Sequence, residues 1–175
     1  RNDCSVVATV MSVDPDCSPE IAAMIGVSTA IAISDIPWDG PISGVNVGLV
    51  DGEIVLNPTL EQRAKTDLNL TVASTADLVA MIEAGGNEIS DDLMFDCIMA
   101  GHEENKKIVK FIQGIVDEIG KPKFAYESSD PDPDIMKEIE DFCIEDVKKA
   151  LDTDDKLVRD EALLDLAKGR ADLNL

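Results

Sequence analysis

Basic residues are scarce in this chain. Of its 175 residues only 15 are Lys or Arg, whereas 36 are Asp or Glu, and the formal net charge at pH 7 is −21. A broad nucleic-acid-binding surface needs clustered Lys and Arg to neutralise phosphates. The composition therefore excludes a general surface of that kind, so any contact with nucleic acid has to be local or supplied from outside this sequence.

Residues that bind metals in pairs or clusters are also few. The only histidine is His102, and the cysteines Cys4, Cys17, Cys97 and Cys143 lie far apart with no C-x-x-C pair. A zinc site is therefore not indicated, and the Asp-rich turns lack the pattern of a calcium loop. The spacing of the cysteines and the lack of a signal-peptide pattern predict reduced thiols and a cytoplasmic location, with no membrane association.

No apolar run is long enough to cross a bilayer. The longest apolar stretch, Ser5–Ser34, is interrupted at Asp14-Pro15-Asp16, and the apolar helix that follows is about 15 residues, too short for a hydrocarbon core of about 30 Å. Ser18 is the expected N-cap and Pro19 the first helical residue. The β-branched run Val6–Val13 predicts a strand buried on both faces, and the helix predicts a central buried element.

The middle of the chain shows alternating strand patterns and one long helix pattern. Apolar residues alternate on both sides of Asp51-Gly52, which predicts a β-hairpin, and a further strand is predicted over residues 68–73. Residues 78–84 fit either a strand or a short helix. Ser90 is the expected cap of a helix that ends at Gly120, and His102 within it is more typical of a structural than a catalytic histidine.

The last third of the sequence is predicted to be helical. Residues 123–134 are Pro- and Asp-rich and predict a linker, followed by amphipathic helices over 135–151 and 156–168. We therefore predict two domains, a mixed α/β domain over residues 1–121 and an all-helical domain over 122–175. The chain also opens at Arg1 without a methionine, which suggests a fragment of a longer protein.

Three groups of motifs together resemble a known family. VMSVDPDCSPEIAAMIGVSTAIAISDIPWDGPISGVNVGLVDGEIVLNPT, then LNLTVAST, then MAGHEE in the long helix are similar to the first core domain of bacterial polynucleotide phosphorylase. The resemblance covers roughly residues 1–165, and the closing KGRADLNL fits it less well. It implies an α/β (α+β) fold, namely a partial ribonuclease PH-like mixed sheet around the central helix, followed by an all-helical domain.

The resemblance also implies a function for the parent enzyme. Members of this family degrade RNA from the 3′ end with phosphate, release nucleoside diphosphates, use magnesium, and assemble as ring-shaped trimers with RNA-binding domains and RNA-degradation partners. This chain would be the non-catalytic core that scaffolds the trimer and the RNA channel. As a fragment it is expected to be inactive alone and to hold no metal. The alternative is a stand-alone interaction or oligomerisation module.

The resemblance implies where chemistry is missing. The active core of the family holds phosphate on a Gly- and Ser-rich loop, but here the equivalent turn, Asp14–Pro19, carries two carboxylates and two prolines. A catalytic aspartate of the active core corresponds to Asn69, and a partner acid falls loosely at Arg63. Asp67 is the one neighbouring acid, on the same predicted strand face as Asn69. We therefore expect no catalytic, substrate-binding or metal-binding residue here.

A physical consequence is expected at the start of the chain. If the family fold applies, the strand at Val6–Val13 lacks neighbours and leaves an apolar edge exposed. The chain is then expected to dimerise, to aggregate or to be only marginally stable.

Overall fold

The computed structural model describes residues 3–171, and the side chains up to residue 168. The chain forms two compact units, of which the first ends at Tyr126 and the second begins at Glu127. The elements, in chain order, are α1 Pro19–Ile33, β1 Ser43–Val50, β2 Glu53–Leu56, α2 Leu60–Arg63, β3 Leu68–Ser74, β4 Val79–Gly86, α3 Asp91–Ile119, α4 Pro133–Leu151 and α5 Lys156–Ala171. None of the described helices is long and apolar enough to cross a membrane.

The first unit is built on a four-stranded antiparallel sheet with strand order β2-β1-β3-β4. The predicted hairpin joins β1 to β2, with Val50 opposite Glu53. Both turn residues have positive φ, 53° at Asp51 and 82° at Gly52, as a two-residue hairpin turn of this twist requires. The ambiguous stretch 78–84 is a strand: it forms most of β4, which pairs with β3 along its length.

The long helix α3 covers one face of this sheet. The core between them consists of side chains that are at most 5% exposed: Val45, Val47, Leu49, Leu68, Leu70, Val72 and Cys97. At Gly101 the helix approaches closely, because a Cβ there would lie 3.0 Å from Cγ2 of Val72 and 3.1 Å from Cγ2 of Val47. Ser90 caps the helix as predicted, since its side chain accepts a hydrogen bond from the amide of Leu93.

Helix α1 is less enclosed than its apolar sequence predicted. Only Ile21, Ser28 and Ala32 are buried, and the remaining residues are partly or fully exposed. Ser28 Oγ accepts a hydrogen bond of 3.1 Å from the amide of Ile42, which ties the helix to the start of β1. The prediction of a helix buried all round is thus wrong for this chain, because no described element covers its second face.

A lysine from beyond α3 caps the C-terminal end of α1. The ammonium of Lys123 donates to the carbonyls of Ala32 at 2.8 Å, Ser34 at 2.7 Å and Ile31 at 3.3 Å. These carbonyls form the negative end of the helix dipole, and α1 has no basic residue of its own in its last turn. The contact joins segments about 90 residues apart within the first unit.

The predicted buried strand at Val6–Val13 does not form. The segment pairs with no strand, and all its residues are exposed, including Val7 at 86% and Met11 at 90%. A β-branched run becomes a strand only where a neighbour offers hydrogen bonds, and none of the four strands of the sheet does so here. For the same reason the described sheet is purely antiparallel, not mixed. The segment is apolar and exposed, but it is not the strand edge that the sequence predicted.

The connection before β3 contains a helical turn that the sequence reasoning missed. Leu60–Arg63 forms α2, with a capping box at Thr59 and Gln62. The side chain of Thr59 accepts from the amide of Gln62, and Gln62 Oε1 accepts from the amide of Thr59 at 2.9 Å. This turn matters because it positions Arg63.

The second unit consists of α4 and α5, joined by a short break at Asp152–Asp155. Both helices begin and end within a few residues of the predicted limits, with Asp132 capping α4 through the amide of Asp134. None of the described side chains of the two helices is buried. Residues 172–175, at the divergent end of the sequence, lie outside the described residues.

Candidate functional site

An open cleft of about 360 Å³ lies where α1 begins, beside the sheet face that α3 leaves free. Its walls come from three places: the turn before α1, the short helix α2, and the strands β1 and β3. The residues lining it are Val13, Asp14, Pro15, Cys17, Ser18, Pro19, Glu20, Asn46, Arg63 and Asn69. The structure therefore brings together the turn, Arg63 and Asn69, which the resemblance had singled out from separate parts of the sequence.

Two backbone donors of the turn Asp14–Pro19 are used within the turn, and its two prolines have none. The amide of Asp16 donates to Oδ1 of Asp14 at 2.9 Å, and the amide of Cys17 donates to the carbonyl oxygen of Asp14 at 3.0 Å. Pro15 and Pro19 have no amide hydrogen. A phosphate-binding loop needs several free amides that converge on one point, so this turn is a poor site for an anion.

The positive end of α1 already has a carboxylate beside it. Glu20 lies in the first turn, and the hydroxyl of Ser18 donates a hydrogen bond to its Oε2. This bond, a bond to its own backbone and the charge of Arg63 hold the pKa of the Glu20 carboxyl below its usual value. Ser18 occupies the predicted N-cap position, but its side chain binds Glu20 and not the helix backbone. A second anion at this helix end would meet a carboxylate that stays ionised.

Arg63 braces the turn against α2. Its guanidinium donates to the carbonyl of Pro58 at 2.8 Å through Nη1 and to that of Pro15 at 2.5 Å through Nη2. From the other side, Oδ1 of Asp16 accepts a 2.9 Å hydrogen bond from the amide of Leu60. The guanidinium of Arg63 is thus committed to holding the backbone of this site.

Asn69 lies on the opposite wall of the cleft, exposed on β3. Asn46 on β1, which pairs with Thr71, also lines the cleft. The sequence reasoning missed it, although the alternation of Val45 and Val47 already placed it on the face away from the core. Asn46 Oδ1 accepts a 3.0 Å hydrogen bond from the hydroxyl of Thr71. Both strand residues of the cleft are therefore neutral amides, which donate and accept but cannot act as acids or bases at neutral pH.

Asp67 does not replace the missing acid. It is not among the residues that line the cleft, and its Oδ1 lies 3.5 Å from Nδ2 of Asn87 at the far end of β4. The carboxylates that do line the cleft, Asp14 and Glu20, both come from the turn side and both accept hydrogen bonds from their own segment.

The cleft does not fit a divalent metal ion. Within the described part of the chain, no group of three or more His, Cys, Asp or Glu side chains is placed to hold one. Magnesium prefers carboxylates with open water positions, but here Arg63 brings a positive charge and Asn69 a neutral amide. We derive no chemical step through a metal at this cleft.

His102 lies outside the cleft. It is 5% exposed within α3, and its Nδ1 has no hydrogen-bond partner among the described residues. One turn on, Asn105 is fully buried and donates from Nδ2 to the carbonyl of Val72 at 2.9 Å. Among the described residues no nucleophile or acid is hydrogen-bonded to the imidazole, so its setting is that of a packed core side chain. The sequence favoured a structural histidine with its hydrogen bonds satisfied, whereas Nδ1 is buried without a partner.

Comparison with known proteins identifies the class of protein that this chain resembles. Residues 40–104 match domain 2 of the 3′ exoribonuclease family. The crystal structure of rice (Oryza sativa) Rrp46 superimposes with a TM-score of 0.53 at 17% identity, over 60% of this chain and 51% of that one. Residues 40–104 are thus similar to this exoribonuclease domain, and the chain has a ribonuclease PH-like α+β fold.

The particular relatives are polyribonucleotide nucleotidyltransferases. The chain is 53% identical over 168 residues to the polyribonucleotide nucleotidyltransferase of Ruminiclostridium cellulolyticum, and the alignment covers 96% of this chain and 24% of the relative. It is also 47% identical over 169 residues to the polyribonucleotide nucleotidyltransferase of Geobacillus kaustophilus, and that alignment covers 97% of this chain and 23% of the relative. The resemblance to bacterial polynucleotide phosphorylase is confirmed, and the chain spans about a quarter of the length of these relatives.

Proposed function

We propose that this chain is part of a 3′-to-5′ phosphorolytic exoribonuclease and serves there as a non-catalytic core. In this role it scaffolds a trimer and shapes the channel for RNA, while phosphorolysis to nucleoside diphosphates takes place elsewhere in the enzyme. The similarity to polyribonucleotide nucleotidyltransferases over 96% of the chain supports the enzyme class. The parent enzyme would use magnesium and act in the cytoplasm with other RNA-degrading proteins.

The observation that carries the non-catalytic role is the chemistry of the cleft. Phosphoryl transfer needs groups that hold phosphate and neutralise developing charge. In this cleft the amides of Asp16 and Cys17 are used within the turn, Glu20 occupies the helix end, and the guanidinium of Arg63 is bonded to two carbonyls. Nothing in this arrangement is positioned to bind inorganic phosphate next to an RNA end.

Phosphorolysis of poly(A) tests the proposal directly. The 175-residue chain is incubated with poly(A), magnesium and inorganic phosphate, and release of adenosine diphosphate is followed, with phosphate omitted as the control. We expect no release above that control, while an intact polyribonucleotide nucleotidyltransferase in the same buffer is active. Phosphate-dependent release by the chain alone, abolished by Asn69→Ala, would show a working site in the cleft and overturn the proposal.

The alternative is a stand-alone interaction module, and the exposed apolar segment Val6–Val13 is the observation that favours it. Sedimentation of the chain at several concentrations separates the two. A discrete, stable oligomer that forms without the rest of the enzyme supports the module. A monomer that associates only in a longer form of the protein supports the scaffold.

A further inference from the structure

Three buried polar side chains meet at one end of the sheet. Ser43 is the first residue of β1 and Ser74 the last of β3, and the two lie opposite each other in the antiparallel pairing. Asn105 of α3 reaches the same end, because its Nδ2 donates to the carbonyl of Val72, two residues before Ser74. All three side chains are fully buried. Two strands and the helix that covers them thus bring two hydroxyls and an amide together.

The direction of α3 agrees with this placement. The helix follows β4, which ends opposite Leu68, so it runs from the Leu68 end of β3 toward the Ser74 end. It touches β3 at Gly101, where a Cβ would lie 3.0 Å from Cγ2 of Val72. From Gly101 to Asn105 the helix rises about 6 Å, and two residues along a strand advance about 7 Å. Asn105 therefore lies at the level of Ser74.

Each of these three side chains has a buried polar atom without a hydrogen-bond partner among the described residues. The atoms are Oγ of Ser43, Oγ of Ser74 and Oδ1 of Asn105, and the fourth atom of this kind is Nδ1 of His102. Leaving a buried hydroxyl or amide oxygen unpaired is unfavourable, and in native proteins such atoms nearly always bind another protein group or an ordered water. Three of them at one place indicate a shared partner.

We propose that Ser43, Ser74 and Asn105 hold one buried water molecule, which joins β1, β3 and α3. The water donates to Oδ1 of Asn105, which only accepts, and makes two further bonds with the hydroxyls, which both donate and accept. Three hydrogen bonds are the usual number for a buried water. The next inward-facing pair of the two strands is Val45 and Val72. Each serine side chain is one heavy atom smaller than valine, and the space of two methyl groups accommodates one water.

The three atoms fit water better than a metal ion. All are neutral oxygens, and over the described residues no group of three or more His, Cys, Asp or Glu is placed to hold a metal. Calcium and magnesium take about six or more oxygen ligands, usually with carboxylates among them. Two hydroxyls and one amide oxygen supply half of that number and no charge.

A neighbouring cleft gives water a route to the site. Thr75 and Lys106, next in sequence to Ser74 and Asn105, line an open cleft of about 560 Å³. The three side chains of the site are themselves fully buried, so a bound water leaves only when the structure opens locally. We therefore expect this water to stay bound for longer than the chain takes to tumble in solution.

The sign of a stability change tests the proposal. If the hydroxyl of Ser74 had no partner, Ser74→Ala would remove a buried unpaired group and raise the stability of the chain. If the hydroxyl binds water, the substitution removes a hydrogen bond, and we expect the equilibrium constant for folding to fall about 3- to 10-fold in urea denaturation. Equal or higher stability of Ser74→Ala would overturn the proposal.

Ser28→Ala is the matched control. Ser28 is 1% exposed, and its Oγ accepts from the amide of Ile42 at 3.1 Å, so it is an equally buried serine with a partner in the protein. Its replacement should also lower stability, which shows that the loss of one buried hydroxyl is measurable. Unlike Ser74→Ala, it should leave the water in place.

The water itself can be observed in two ways. In solution, magnetic relaxation dispersion of ¹⁷O should count one long-lived water fewer in Ser74→Ala than in the native chain and in Ser28→Ala. In a high-resolution crystal structure of the native chain, we expect one water about 2.5–3.2 Å from all three atoms. An equal count in both variants would overturn the proposal. So would hydroxyls bonded only to protein groups, or a peak with about six oxygen neighbours near 2.4 Å, which is a cation.

Discussion

Replacing Arg63 by methionine tests whether the cleft is held together as described. The guanidinium joins Pro58 of the connection before α2 to Pro15 of the turn before α1, which are more than 40 residues apart in sequence. Methionine retains much of the length of the side chain and removes both hydrogen bonds. The turn would then keep only the contact of Asp16 with the amide of Leu60 from this neighbour.

The magnitude follows from the two bonds. A hydrogen bond from a charged donor contributes about 1.5–3 kcal/mol when it is shielded, and Arg63 is only partly buried. We therefore expect the substitution to lower the free energy of unfolding by about 1–3 kcal/mol in total. For a unit of this size, that corresponds to a fall in Tm of roughly 3–10 °C.

Lys65→Met is the matched control because it removes the same charge two residues away. Lys65 pairs with Glu61 at 2.7 Å, but the two side chains are 60% and 81% exposed, and such a pair contributes about 0.3–0.5 kcal/mol. Urea denaturation of both variants, followed by circular dichroism, compares the two losses. If Arg63→Met is no less stable than Lys65→Met, Arg63 is not a brace and the account of the cleft fails.

The carboxyl of Glu20 reports the same change independently of folding. The hydrogen bond from Ser18 is the largest cause of its lowered pKa, and the charge of Arg63 adds to it. A carboxyl whose pKa is lower in the folded than in the unfolded state stabilises the protein at pH values above the unfolded-state pKa. That contribution to stability is lost as the pH falls through the folded-state pKa. Removing Arg63 should therefore raise the pKa of Glu20 part of the way toward its usual value, measured by NMR titration, and shift this acid loss of stability to higher pH.

Three further predictions concern the first unit. Lys123→Met removes the cap on α1 and should cost about 1 kcal/mol in urea denaturation, and equal stability would show that the cap contributes nothing. Gly52→Ala should cost about 1–2 kcal/mol because φ is +82°, whereas Gly114→Ala, in open space within α3, should be neutral or stabilising; equal effects would refute the hairpin geometry. Burial raises the pKa of the Cys97 thiol, so alkylation followed by mass spectrometry should find it unmodified until the chain unfolds, and rapid labelling of the folded chain would contradict its place in the core.

Local patterns were enough to predict most of the elements. The Asp51-Gly52 turn, the alternation over β3, the cap at Ser90 and the break at Asp152–Asp155 each involve residues adjacent in sequence, so neighbouring side chains decide them. The wrong predictions concerned features that depend on residues far apart in sequence. Val6–Val13 has the composition of a buried strand, but whether it becomes one depends on partners that no local pattern contains.

Some features of the cleft could be predicted from the sequence and others could not. The prolines and carboxylates of the turn are visible in the sequence, and the resemblance directed attention to Asn69 and Arg63. Only the tertiary structure showed that the turn, Arg63 and Asn69 lie in one cleft, that Asn46 joins them, and that Asp67 does not. The distance between residues 46 and 69 is set by the pairing of β1 with β3, and residues 15 and 63 meet because the turn before α1 lies against α2.

The sequence by itself predicted the class of protein and most of the helices and strands, because these depend on residue identity and short-range periodicity. The tertiary structure decided which side chains meet and which surfaces stay open. In the folded chain Arg63 joins two segments through hydrogen bonds to the carbonyls of Pro15 and Pro58. Only three residues of α1 are buried, and none of the described side chains of α4 and α5 is. Those outcomes depend on long-range packing, where burial and hydrogen bonding are shared between segments far apart in the chain.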